Sequence, residues 1–215
     1  MNWNDLEKHF SPARLGRYRA ARGGDVDRAA ADYASNVLLS EAMVPMLNVL
    51  EIALRNGIHA RLSGLYGRAD WWEAWAGDPA CTGQNKEVGS AKAKLIRRHE
   101  PQTPDKVLAE LTFGFWTSLF NVQFQAVLWK DLRLVFARCP KPQRQRHNIS
   151  AALNRIRDLR NRIFHHEPLL WLIPTLLEQH QTGVTVINWV DPELGQWLGN
   201  HDRLPAVWAD WTSRP

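Results

Sequence analysis

The run QRQRHNISAALNRIRDLRNRIFHHEP, Gln143 to Pro168, decides how the rest of the chain is read. Each helical residue turns about 100° around the axis, so Ile149, Leu153, Ile156, Leu159 and Ile163 fall on one stripe. The pattern predicts a helix from about Gln143 to His166, closed by Pro168, which cannot continue it. Arg160 projects into the middle of that stripe, while Asn154, Asp158, Asn161 and His165 line a separate polar face. A guanidinium on an apolar seam is costly unless something pairs with it. The helix end thus gathers a cation, an amide and a titratable imidazole, spaced Arg160-Asn161-x-x-x-His165. Those groups are a minimal kit for cutting an RNA phosphodiester: charge stabilisation, positioning and proton transfer.

The segment after Asp25 repeats the anomaly. Val37, Val44, Leu47, Leu54, Ile58 and Leu62 share a stripe, and Glu51 and Arg55 project into it. Opposite charges on two apolar seams predict a shared network, with Glu51 orienting Arg160 directly or through Arg55. The competing reading is a self-contained Glu51–Arg55 pair, four residues apart on one helix. His59 follows Arg55 too closely for a second motif, so Arg55 and Asn56 read as structural or substrate-positioning.

Helical signals dominate elsewhere. Ser11-Pro12 caps a short helix that Gly23-Gly24 ends, and Asp25 opens a long one to about Leu62, with Pro45 as a kink or break. Tyr66 to Gly83, holding Trp71, Trp72 and Trp75, reads as loop with one short helix. Asn85 to His99 is a basic helix, and Thr103-Pro104 caps another, with apolar positions continuing to Phe136. Asp191-Pro192 caps a final helix, and Val184–Ile187 carries the one strand signal. The predicted class is all-α, a bundle of long antiparallel helices with short accessory ones.

At 215 residues the chain fits one domain with a substantial core. Its 27 Lys+Arg against 22 Asp+Glu give a net charge of +5, which permits an anionic partner without requiring one. Basic segments Lys86–Arg98 and Lys141–Arg146 are places for backbone contacts with RNA. The candidate RNA-binding residues are Lys141, Arg144 and Arg146, with Arg157 and Arg162 on the motif helix. Cys81 and Cys139 lack ligand spacing, so no metal site, cofactor or disulfide framework is expected. The absence of an 18-residue apolar run and of a signal-peptide pattern in MNWNDLEKHF predicts a cytoplasmic, membrane-free protein. Eleven tryptophans read as core and interface filler.

Arg160-Asn161-x-x-x-His165 resembles the R-x(4–6)-H signature of HEPN ribonucleases. Longer stretches resemble the Abi-like (abortive infection) branch of that superfamily. They are Leu50-Glu51-Ile52-Ala53-Leu54-Arg55-Asn56, then Leu111-Thr112-Phe113-Gly114-Phe115-Trp116, and the ending Leu159 to Pro168 with its His-His-Glu-Pro. They stand in the family's order across roughly residues 35–170. The resemblance implies one HEPN domain, with a core at about 25–170 and a C-terminal extension at 171–215. It implies a homodimer in which two motif helices meet at a composite cleft. It further implies endoribonuclease chemistry without metal, in which the ribose 2′-OH attacks the adjacent phosphate and leaves a 2′,3′-cyclic phosphate and a 5′-OH. Arg160 then stabilises the phosphorane charge, His165 serves as general acid or base, and Asn161 positions the phosphate or the histidine. His166 fits the motif with one more spacer and is the alternative imidazole. The implied setting is phage defence or toxin–antitoxin control, with a small non-coding RNA or a protein antitoxin as restraining partner. The runner-up is a non-catalytic HEPN-like module that binds RNA or dimerises.

Overall fold

Capping residues set the boundaries of the central helix. The Asp25 carboxylate accepts hydrogen bonds from the N–H groups of Asp27 (3.1 Å) and Arg28 (3.0 Å), and Gly67, left-handed at φ 67°, ends the run. Between them lies α3, Val26–Tyr66, which at 41 residues spans about 60 Å. Pro45 sits inside it without ending it, removing only the hydrogen bond that the Glu41 carbonyl would have accepted.

The computed structural model describes residues 2–214, and among them every regular element is helical. α1 (Trp3–Phe10) and α2 (Pro12–Ala21) precede α3. After two short 3-10 turns come α4 (Thr82–Arg97), α5 (Pro104–Glu110), α6 (Phe113–Ser118) and α7 (Gln125–Leu132). The chain closes with α8 (Arg146–Phe164), α9 (Leu176–Val190), α10 (Pro192–Gly199) and α11 (Leu204–Thr212). The all-α expectation is therefore met. α3 is the axis: α1, α2, α6, α7, α8, α9, α10 and α11 all pack on it.

By length and composition α3 is long and apolar enough to cross a membrane. Here its Leu39, Met43, Met46, Leu50, Leu54, Ile58 and Leu62 are buried in the core. Residues beyond 170 feed the same core through Leu176, Val186, Ile187, Leu198 and Leu204. The tryptophans follow suit in the main. Trp71, Trp72, Trp75 and Trp116 are buried, with Trp71 5.2 Å from Trp72 and 4.9 Å from Trp75 between ring centroids. Trp171 and Trp197 stay exposed.

Three expectations about helix identity and boundaries need correction, and Val37 and Val44, expected on the buried stripe of α3, are exposed. Val184–Ile187 is not extended but lies inside α9. A capping box between Thr175 and Glu178 starts that helix, and packing on α3 and α8 overrides the β-branched preference. The motif helix starts at Arg146 rather than near Gln143, because Gln143 and Arg144 both donate their N–H groups to the Pro140 carbonyl (2.9 Å each) in a turn. The helix capped by Asp191 is not the last, since α11 follows. Its Trp211 indole donates to Asp32 on α3 (3.3 Å), which Arg22 also holds at 2.6 and 2.9 Å.

Candidate functional site

The seam of α8 packs as its periodicity demands: Ile149, Leu153, Ile156, Leu159 and Ile163 are all buried. The helix then ends in a tight wrap. His166 donates its N–H to the Ile163 carbonyl (3.0 Å) and Glu167 to that of Arg162 (2.9 Å), the pattern of a Schellman motif. In that pattern His166 holds the left-handed position, at φ 56°, where glycine is usual.

The segment past the helix is stitched to the amino-terminal elements. Asn36 of α3, only 3% exposed, accepts the Leu169 N–H (2.7 Å) and donates to the Glu167 carbonyl (3.3 Å). Arg14 of α2 donates to the His166 carbonyl at 2.8 Å. The His-His-Glu-Pro ending thus has a structural task in addition to any chemical one.

Arg160 finds the partner that its place on the seam required. Its Nε donates to Glu51 Oε2 at 3.2 Å, and its Cζ stands 4.8 Å above the Phe164 ring. The Arg160 and Glu51 side chains are 30% and 27% exposed, so the pair is half-buried and still reachable. The contact is direct. Among the described residues Glu51 makes no ion pair with Arg55, whose Nε donates instead to Asn56 Oδ1 at 3.3 Å. Asn48, Glu51, Ile52, Arg55, Arg160 and Phe164 surround a hollow of about 350 Å³. Two cations and one carboxylate there favour an anionic visitor.

Asn161 and His165 lie elsewhere. Both are exposed and neither lines the hollow; Asn161 is one helical step, about 100°, from Arg160, and His165 is the C-cap beyond the last helical residue, Phe164. No hydrogen bond among the described residues joins either side chain to Arg160. Within one chain, then, the guanidinium is fixed and the imidazole stands apart from it. His166 lines a second, larger cavity on the far side of Phe164.

The candidate RNA-binding residues do not form one patch. Arg157 pairs with Asp158 (3.1 Å) and Arg162 with Glu167 (3.3 Å). Arg146 is engaged within the fold, donating to Gln125 Oε1 (2.8 Å) and to the Phe120 carbonyl (2.9 Å). Arg144 donates to the Ala137 carbonyl at 3.4 Å, and Lys141 is exposed. The Lys141–Arg146 segment sits at the opposite end of α8, with Arg146 about 21 Å along the axis from Arg160.

The three stretches that resemble the Abi-like branch divide by role. The first puts Leu50 and Leu54 in the core and turns Glu51 toward Arg160. The last supplies α8 and its wrapped end. The middle one is support: Thr112 caps α6 by accepting the Phe115 N–H (3.2 Å), while Phe113, Phe115 and Trp116 are buried and α6 packs on α8.

His59 is structural. Its Nδ1 accepts the indole N–H of the buried Trp71 at 3.2 Å, and burial lowers its pKa. Burial also pushes the Cys81 thiol up to about 11 and raises that of Cys139, so neither offers a thiolate nucleophile. Sequence reasoning missed Phe164, which follows Arg160 by four residues and so shares its face, a signal available from the spacing. It also missed Arg14, for which a contact spanning 152 residues left no local signal. No family model, curated protein or solved structure matches the chain.

Proposed function

We propose that this chain is a HEPN-type endoribonuclease whose active site is completed by a second copy. The observation that carries the proposal is Arg160: a guanidinium held between Glu51 and the Phe164 ring, facing a hollow that a phosphate can enter. Arg160 receives the scissile phosphate and stabilises charge as the phosphorane forms. A general base removes the proton of the ribose 2′-OH, that oxygen attacks phosphorus, and a general acid protonates the departing 5′-oxygen. The products are a 2′,3′-cyclic phosphate and a 5′-OH. His165 serves as the general acid or the general base, with Asn161 positioning the phosphate or the ring.

His165 caps α8, and on an ideal helix it would stand about 140° from Arg160, which supports drawing the proton carrier from the other motif helix. Val44, Ile52 and Phe164, exposed around the Arg160 hollow, offer that helix an apolar seat. Such an enzyme suits a defence or toxin–antitoxin effector, restrained by a small RNA or a protein until needed.

The second reading is a module that binds RNA and does not cut it. The Glu51 carboxylate favours it, because it already occupies Arg160. One experiment separates the two: purified protein with end-labelled RNA and DNA in excess EDTA. The nuclease cuts RNA alone, leaves cyclic phosphates, and loses activity in Arg160→Ala and in His165→Ala. RNA binding by the wild type without cleavage establishes the module. Cleavage that persists in Arg160→Ala refutes the assignment of the site.

A further inference from the structure

A cavity of about 770 Å³ lies between α1, α2, α3 and the end of α8. It shares Val44 and Phe164 with the Arg160 hollow, so the two are neighbours across one aromatic ridge. Its volume is within the range of small-molecule sites. Phe10, Tyr33 and Phe164 supply aromatic faces, with Phe10 and Tyr33 5.1 Å apart between centroids. His9, Arg14 and His166 supply cationic or protonatable groups. The acid on its rim, Glu41, is paired with Arg203 at 2.8 Å.

Arg14 is held in place by the hydrogen bond it gives the His166 carbonyl. That bond uses one of five N–H donors and leaves the guanidinium anchored at the end of the motif helix. Aromatic faces beside a fixed cation are the combination that takes an unstacked base and its phosphate. A continuous duplex cannot offer a base to such a cavity.

We propose that this cavity is the subsite for the nucleotide next to the scissile phosphate in single-stranded RNA, with Tyr33 and Phe10 against the base and Arg14 and His166 at its phosphate. The proposal takes the RNA reading of the Arg160 hollow as its starting point. It adds that the substrate is unpaired at that position and that affinity, as distinct from catalysis, resides partly beyond Phe164.

The probe is a fluorescent, 2′-O-methylated single-stranded decaribonucleotide, which cannot be cleaved, titrated into the full chain and followed by anisotropy. Val37→Trp fills the mouth at a 53% exposed position without touching a charge, and Arg14→Gln removes the anchored cation. Each is expected to weaken binding about five- to a hundredfold with sedimentation unchanged; melting should be unchanged for Val37→Trp and slightly lower for Arg14→Gln, which loses the bond to the His166 carbonyl. A 2′-O-methylated duplex is expected to bind equally to wild type and variants. Unchanged single-strand affinity in both variants overturns the proposal. So does lost affinity accompanied by a drop in molecular mass, which would assign the surface to subunit packing. The nuclease reading fails separately: if Arg160→Ala still cleaves RNA while Val37→Trp and Arg14→Gln lose the probe, the cavity stands as a single-strand RNA site, and its place beside the scissile phosphate falls with the catalytic assignment.

Discussion

Replacing Glu51 with glutamine keeps the shape of the Arg160 hollow and removes its carboxylate. Two unit charges about 4 Å apart attract by about 1 kcal/mol in water and about 4 kcal/mol in a half-shielded site. Arg160 and Glu51 are each more than a quarter exposed, so the lower figure applies, reduced further by the entropy of holding two long side chains. A coupling of no more than about 1 kcal/mol remains, equivalent to at most about fivefold in rate. Two effects of opposite sign then follow. On the nuclease reading, the guanidinium loses its anchor and single-turnover cleavage slows by up to about fivefold. The hollow also loses its negative charge, so RNA binds more tightly. The assay is single-turnover cleavage of 5′-labelled RNA in EDTA, with Glu51→Gln made in the wild-type and the Arg160→Ala backgrounds. In the second background Glu51→Gln still tightens RNA binding but leaves the residual cleavage rate at saturating protein unchanged if Glu51 acts through Arg160. An unchanged rate in the first background, or an equal loss in both, refutes the positioning role. Urea unfolding of the same four proteins reads the pair without reference to activity, and the coupling should not exceed about 1 kcal/mol.

Three further outcomes follow from the fold. His166→Gly relieves the left-handed residue at the end of α8 and should stabilise the chain by about 0.5–1 kcal/mol, read as a higher urea midpoint at constant slope. Gly183→Ala puts a Cβ onto the Met46 sulfur and 2.7 Å from its methyl carbon, where α9 closes on α3. It should cost about 1–3 kcal/mol and lower the melting temperature. His59 has its pKa lowered by burial, so the unfolded chain binds its proton more readily than the folded one. Its stabilising effect is complete above about pH 6.5 and is lost as pH falls below that value toward the folded pKa. His59→Asn should flatten this part of the stability profile.

The seam of α8 was legible because a stripe of five buried residues leaves a plain 3.6-residue signature. The ion pair was legible because a charge on such a seam demands a partner, and Glu51 was the carboxylate on the other seam. The upper half of α3 was not. Val37 and Val44 share a stripe with Leu54, yet they are exposed, while Asp32, Ser35 and Asn36 are buried in that region. Counting apolar residues cannot find this face, because Asp32 and Asn36 are satisfied by Arg22, Glu167 and Leu169 from elsewhere in the chain. The cavity beside Phe164 lies where that misread stripe turns outward. The reading of α9 failed for a related reason, since local β-branched preference says nothing about the helices waiting to pack against it.

The separation of His165, at the cap of α8, from the Arg160 hollow has a consequence for dosage. If each working site takes its arginine from one chain and its histidine from another, activity below the dimer dissociation constant rises with the square of protein concentration. A cell could then hold the chain harmless simply by keeping it scarce. The same division of labour makes two dead proteins complementary: Arg160→Ala mixed with His165→Ala should rebuild one intact site per mixed dimer. Recovered cleavage on mixing would count the chains in an active site without a structure of the complex.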